Sequence, residues 1–160
     1  MSGDQIGTAI GVAFGCAWGI AGGFALPSIW RMFVLIGSII VSGILILLIT
    51  QARPVVDGRF DGTIYGIAVT AEVIAIVLAG VILSRIGSSF TPPAVAAIVG
   101  LHFVGLWLAT NNVTFVWLAA TLCAIAFIAV FVSQPSRLAV VGIGAALALW
   151  GAALSTLLKA

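Results

Sequence analysis

The segment that decides the fold is Tyr65–Ala109, with the sequence YGIAVTAEVIAIVLAGVILSRIGSSFTPPAVAAIVGLHFVGLWLA. It contains two apolar runs joined by Arg85–Pro93, and a membrane-spanning helix needs about 20 predominantly apolar residues. The first run carries Glu72 and the second carries His102, whereas every other charged residue lies near the end of an apolar run or in a connection. Because ionisable side chains are costly inside a bilayer, these two residues are by default candidates for a functional site.

The composition of the whole chain agrees with a protein whose solvent is lipid. Of its 160 residues, 63% are hydrophobic and 6% are charged, and the mean hydropathy is +1.36, whereas soluble domains carry roughly 25% charged residues. We therefore expect a single transmembrane domain over residues 1–160, in contact with the lipid bilayer. The net charge of +2 is scattered, so no polybasic cluster favours nucleic acid as a partner.

The apolar runs predict an all-α integral membrane bundle of six transmembrane helices. The predicted spans are 6–26, 29–50, 64–85, 93–109, 113–133 and 138–158. All five prolines fall at the boundaries of these runs, where proline starts or ends a helix without breaking one.

The first span has a glycine at every fourth position: Gly7, Gly11, Gly15, Gly19 and Gly23. Such a row lets another backbone approach closely, so it predicts a packing seam, either inside the bundle or between the copies of a homo-oligomer. A glycine-lined pore wall is the alternative. A shorter stripe of small residues lies in the sixth span: Gly144, Ala148 and Ala152.

The helical period places Glu72 and His102 on defined faces of the third and fourth spans. The stripe of Glu72 includes Tyr65, Ala68, Ala75 and Ala79, and that of His102 includes Val95, Ile98, Gly105 and Ala109. Glu72 lies roughly 12 Å from the start of its run at the helical rise, near the middle of the membrane. The short connection predicts antiparallel neighbours, so Glu72 and His102 can meet.

A Glu–His pair in the membrane predicts a site for a proton or another cation. Such a pair can take up and release a proton near neutral pH, with Tyr65 as a further hydrogen-bond partner, and it suits a small transporter or channel-like protein. The alternative is that the pair only fixes the register of two helices. Interhelical hydrogen bonds contribute about 0.6 kcal/mol on average, so stabilisation alone gives a weak reason for two ionisable groups in a membrane.

Two further functional classes are an enzyme and an accessory subunit of a membrane complex. The chain has one histidine, no cysteine near it and one intramembrane carboxylate, so it lacks a three-ligand zinc site, a bis-histidine haem site and a nucleophile–base–orienter set. We therefore expect no enzyme activity, no cofactor and no metal. A non-transporting accessory subunit, which docks a larger membrane complex through its small-residue faces, is the main alternative to a transporter.

The segment Val99-Gly-Leu-His-Phe-Val-Gly-Leu-Trp107 resembles a span with Leu-His-Phe that occurs in some small bacterial multi-pass membrane proteins. The resemblance covers about one helix. It implies that His102 corresponds to the histidine of that group, and it brings no activity with it.

The distribution of basic residues leaves the orientation in the membrane open. Three lie on the side of the termini and three on the other: Arg53, Arg59 and Lys159 against Arg31, Arg85 and Arg137. The positive-inside rule depends on a bias between the two sides, and there is none. We expect a bacterial cytoplasmic membrane, with a weak preference for cytoplasmic termini.

Overall fold

The computed structural model describes residues 3–52 and 60–158, and over these residues the chain is helical. The helices are α1 (Gly3–Phe24), α2 (Ser28–Gln51), α3 (Gly62–Arg85), α4 (Thr91–Thr110), α5 (Thr114–Val130) and α6 (Ser136–Leu157). Five of them are long and apolar enough to cross a membrane, and α5 is an apolar helix of 17 residues. The prediction of an all-α membrane bundle with six helices is confirmed, although α5 is shorter than the predicted span 113–133.

The ends of the helices follow from local chemistry in the sequence. The Asp61 carboxylate accepts hydrogen bonds from the first amides of α3, as an N-cap residue does. Gly87, with φ of 62°, follows the end of α3, and Asn111, with φ of 56°, ends α4 in the same left-handed conformation. Pro92 and Pro93 occupy the first turn of α4, where no intrahelical donor is lost.

Part of the predicted topology lies outside the described residues. Arg53, Pro54, Arg59 and Lys159 belong to the ranges that the structure leaves undescribed. The even distribution of basic residues between the two sides of the membrane therefore stays a prediction.

Helix α6 is the centre of the bundle, and α3 is at its edge. Helix α6 contacts α1, α2, α4 and α5, whereas α3 contacts only α4 among the described helices. Eight residues of α6 are buried, while no residue between Gly62 and Arg85 of α3 is fully buried. The outer faces of α2 and α3 expose large aliphatic and aromatic side chains, which in a bilayer contact lipid.

The closest approach of α1 and α6 is at Gly22 and Gly142. A Cβ atom at Gly142 would lie 2.5 Å from the Gly22 Cα and 2.6 Å from the Trp18 carbonyl oxygen. These are backbone atoms, so neither helix could accommodate a methyl group without moving. Helices α1 and α6 pack together, but the tight contact of Gly22 with Gly142 lies outside both the glycine row of the first span and the small-residue stripe of the sixth.

The row of glycines in α1 divides into two parts. Gly15 packs against Trp150 of α6, Gly19 against Ser38 of α2, and Gly23 against Leu35 of α2. By contrast, a Cβ atom at Gly7 or Gly11 would meet no described residue within 4 Å. The last three positions of the row therefore pack inside the bundle, and the first two border open space.

Polar side chains connect the helices around α1. The Trp150 indole nitrogen donates a hydrogen bond to the Ser42 hydroxyl at 3.1 Å. The Gln5 side-chain amide donates to the carbonyl oxygens of Ile49 and Ala52 at 3.1 and 2.8 Å, so α1 supplies hydrogen-bond donors to the carboxyl end of α2. These hydrogen bonds provide partners for polar groups, which the hydrocarbon of a bilayer cannot provide.

Arg137 is a buried cation that joins three parts of the bundle. It is 8% exposed, and its Nε donates to the carbonyl oxygens of Ala129 and Val132, both at 3.1 Å, at the end of α5. One terminal nitrogen donates to the carbonyl and hydroxyl oxygens of Ser89, and the guanidinium lies 4.1 Å from the centre of the Phe90 ring. Because the carboxyl end of a helix carries partial negative charge, this position suits a cation.

Replacing Gly142 by alanine is expected to lower the free energy of unfolding by about 1–3 kcal/mol, the usual cost of overpacking. Thermal unfolding in detergent, followed by circular dichroism, measures the effect. Gly151→Ala is the matched control, because Gly151 lies on the same helix and an added Cβ would meet nothing within 4 Å. Equal destabilisation by the two substitutions would contradict the assigned contact.

Replacing Arg137 by leucine is expected to destabilise the protein by about 2–3 kcal/mol, because buried acceptors lose a charged donor. Arg31→Leu is the control: Arg31 is exposed and donates one hydrogen bond to Leu26, so its loss should change stability by less than about 0.5 kcal/mol. Denaturant unfolding of both variants measures the difference. If Arg31→Leu lowered the free energy of unfolding as much as Arg137→Leu, the assigned role of Arg137 in joining the parts of the bundle would be wrong.

Candidate functional site

The hairpin of α3 and α4 has a register that two contacts define. At its open end, the Asp61 amide donates a hydrogen bond to the Ala109 carbonyl oxygen at 2.9 Å. Further in, a Cβ atom at Gly105 would lie 2.5 Å from the Cβ of Ala68, so the two backbones are in close contact. The helical rise from Ala68 to Glu72 is about 6 Å, and from Gly105 to His102 about 4.5 Å, so this register brings Glu72 and His102 to the same level.

The structure brings Glu72 and His102 together. Their closest atoms, Glu72 Oε2 and His102 Nδ1, are 3.3 Å apart, and the side chains are 18% and 10% exposed, respectively. The Nδ1 atom is buried and has no hydrogen-bond partner among the described residues. The two groups are thus within ion-pair distance, but the nitrogen and the carboxylate are not aligned as a hydrogen bond.

Both residues lie near the middle of their helices. From Glu72 the ends of α3 at Gly62 and Arg85 are about 15 and 20 Å away along the axis, and from His102 the ends of α4 are about 16 and 12 Å away. The hydrocarbon core of a bilayer is about 30 Å thick. If both helices span it, the pair lies deep in the membrane.

Tyr65 is not part of this contact. Its side chain is 37% exposed, and its ring lies 5.4 Å from the ring of Phe60. Within the described residues, its hydroxyl has no hydrogen bond with Glu72. The suggested role of Tyr65 as a partner of Glu72 is therefore not visible in this arrangement.

The glycine row of α1 is a separate feature from the Glu–His pair. Helix α1 packs on α2 and α6, and among the described helices it does not contact α3 or α4. The last three glycines of the row therefore contribute to the bundle core, whereas the pair lies where α4 meets the peripheral α3.

The surroundings of the pair determine which ligands it can hold. On α3, Ala68 lies one turn from Glu72, and on α4, Gly105 lies about one turn from His102. The ring of the neighbouring Phe103 contacts the imidazole at 5.7 Å between centroids. The described residues contain no group of three or more histidine, cysteine, aspartate or glutamate side chains that could hold a metal ion.

Sequence reasoning missed the role of Arg137, and it placed Gly105 on the face of His102 without assigning a contact to it. Arg137 was assigned to a connection, and its proximity in sequence to the end of α5 is the one signal that could have suggested a helix-capping cation. Ala68 and Gly105, by contrast, had been placed on the stripes of Glu72 and His102 by helical period alone. Their contact follows from that placement once the hairpin is antiparallel.

Comparisons with protein-family models, with curated proteins and with solved structures found no match to this chain. The resemblance of the segment around His102 to bacterial multi-pass proteins therefore contributes nothing further to the assignment.

Replacing Gly105 by alanine is expected to separate α3 from α4 and to weaken the interaction of Glu72 with His102. Double-mutant cycles with Glu72→Gln and His102→Gln measure this interaction as a coupling free energy, expected near 0.6 kcal/mol and at most about 1.7 kcal/mol. In the Gly105→Ala background the coupling should fall towards zero. Gly80→Ala, where an added Cβ has open space on α3, should leave it unchanged; loss of coupling in this control would show that any change on α3 has the same effect.

Proposed function

We propose that the protein is a small multi-pass membrane transporter or channel-like protein, in which Glu72 and His102 form a proton or cation site. The observation that carries this proposal is the 3.3 Å approach of a carboxylate to an imidazole between two apolar helices. Ionisable groups at such depth mark ion pathways and proton relays in membrane proteins.

The pair can exist in two states that differ by one proton. With both groups neutral, or with a carboxylate against an imidazolium, the pair has no net charge, and loss of one proton leaves a single negative charge. Protonation therefore changes the charge inside the membrane by one unit. A change of this kind can be coupled to a rearrangement of the hairpin, because α3 is held by α4 alone among the described helices.

The remaining parts of the proposal follow from composition and packing. The protein acts in the lipid bilayer, in a bacterial cytoplasmic membrane with cytoplasmic termini, on a small ion or small molecule. It forms homo-oligomers, for which the open face at Gly7 and Gly11 is available. It carries out no covalent chemistry, needs no cofactor or resident metal, and has no nucleic acid partner.

An accessory subunit of a larger membrane complex is the second candidate. One observation favours it: a shallow groove of about 550 Å³ on the face of α3, lined by Gly62, Gly66 and Thr70 with neighbouring residues. Rows of small residues let helices pack closely in membranes. In this role the protein would co-purify with a larger complex, and Glu72→Gln would leave both co-purification and function intact.

The test of the leading proposal is a pH titration followed by transport. Tryptophan fluorescence of the purified protein from pH 5 to 9 should show one reversible transition, which Glu72→Gln and His102→Gln each abolish. In vesicles with an entrapped pH-sensitive dye, the wild-type protein should dissipate an imposed pH gradient at least tenfold faster than either variant.

Thr70→Ala is the matched control for this experiment. Thr70 lies on α3, and its hydroxyl donates a hydrogen bond to the Gly66 carbonyl oxygen within the same helix, so its loss removes a polar group without touching the pair. This variant should titrate and transport like the wild type. Flat titrations in all proteins, with Glu72→Gln changing only thermal stability, would show that the pair is a structural contact and would favour the accessory role.

A further inference from the structure

We infer that the ion exchanged at the Glu72–His102 pair is the proton itself and not a metal cation. This inference rests on the proposed function and narrows it to one class of substrate. It depends on what the pair and its surroundings offer to a ligand. A proton needs one donor and one acceptor, whereas a metal ion needs a full shell of ligands.

The number of ligands is too small for a metal ion. Calcium takes six to eight oxygen ligands and magnesium six, and zinc sites use three or four protein ligands. The pair supplies one carboxylate and one imidazole, and no third histidine, cysteine, aspartate or glutamate in the described residues joins them. Sodium and potassium also bind through oxygen atoms, and Glu72 is the one acidic residue within helices α2 to α6.

The side chains around the pair do not complete a shell. One turn away, a contact between the helices joins Ala68 to Gly105, which carry no polar side-chain atoms. The hydroxyl of Thr70 is engaged with the Gly66 carbonyl oxygen. Carbonyl oxygens in the middle of a helix accept intrahelical hydrogen bonds, so they are poor substitutes for ligands.

The unpartnered imidazole nitrogen is consistent with a proton as the ligand. His102 Nδ1 is buried without a hydrogen bond, although a carboxylate oxygen lies 3.3 Å away. One proton on either atom, with a small rotation of the ring or the carboxylate, turns this contact into a hydrogen bond. When the proton is on Oε2 the carboxylic acid donates to neutral Nδ1, and when it is on Nδ1 the ring donates to the carboxylate.

Other ionisable groups on the packed elements lie away from the pair. On α3, Tyr65 packs against Phe60, and Arg85 is in the last turn. Helix α4 is also packed against α5 and α6. The ionisable groups of α5 and α6 are Cys123, which lies beside Gly100, and Arg137, which donates a hydrogen bond to Ser89. None of these four forms an ion pair with Glu72 or His102 in the described structure.

The inference is tested with the wild-type protein by titration in the presence of competing cations. Tryptophan fluorescence is recorded from pH 5 to 9 in sodium, potassium, magnesium or calcium chloride between 1 and 100 mM, with choline chloride holding the ionic strength constant. A cation that competes for the site moves the midpoint to lower pH, by up to about one pH unit for each tenfold increase above its dissociation constant. The same series on Glu72→Gln measures any effect of the ions elsewhere.

If the proton is the substrate, the midpoint should stay within 0.2 pH units, about the precision of such a titration, in all four salts. A shift that grows with one metal ion and is absent from Glu72→Gln would overturn the inference while leaving the proposed transport site in place. A wild-type protein without a transition, or a transition that Glu72→Gln retains, would overturn the proposed function and this inference together. The comparison between salts uses the wild-type protein, so it does not depend on whether the Glu72→Gln variant folds.

Discussion

In a bilayer, every polar or charged group that leaves water must find its partner inside the protein, and this constraint organises the bundle. Arg137 is held by carbonyl oxygens at the end of α5 and by Ser89. Gln5 donates hydrogen bonds to carbonyl oxygens at the end of α2, and the Trp150 indole donates one to the Ser42 hydroxyl. Each of these contacts joins different helices, so the requirement to satisfy polar groups also determines which helices are neighbours.

The Glu72–His102 pair differs from these contacts because it is incompletely satisfied. The other polar links use aligned hydrogen bonds, whereas the histidine nitrogen lies near a carboxylate without one. An unsatisfied polar group is expensive in a medium of low polarity, and the proposed proton site would give a reason for this cost. The location of the pair strengthens this contrast, since it lies between α4 and the peripheral α3 instead of around the central α6.

The packing of the bundle is dense around α6 and sparse at α3. Helices α1 and α6 meet backbone to backbone at Gly22 and Gly142, and three clusters of buried aliphatic side chains surround α6. Helix α3 has one described neighbour and no fully buried residue. Few buried contacts are the physical basis of low local stability, so α3, which carries Glu72, is the described helix that packing restrains least.

The sequence by itself determined the helices and the faces on which Glu72 and His102 lie, because span length, proline positions and helical period are local properties. It also placed Ala68 and Gly105 on those faces. Only the tertiary structure decided that Gly22 and Gly142, outside the regular glycine row, make the closest crossing, and that Arg137 is buried instead of interfacial. Those outcomes depend on the rotation of each helix about its axis, which is set by packing against neighbours and has no local signal in the chain.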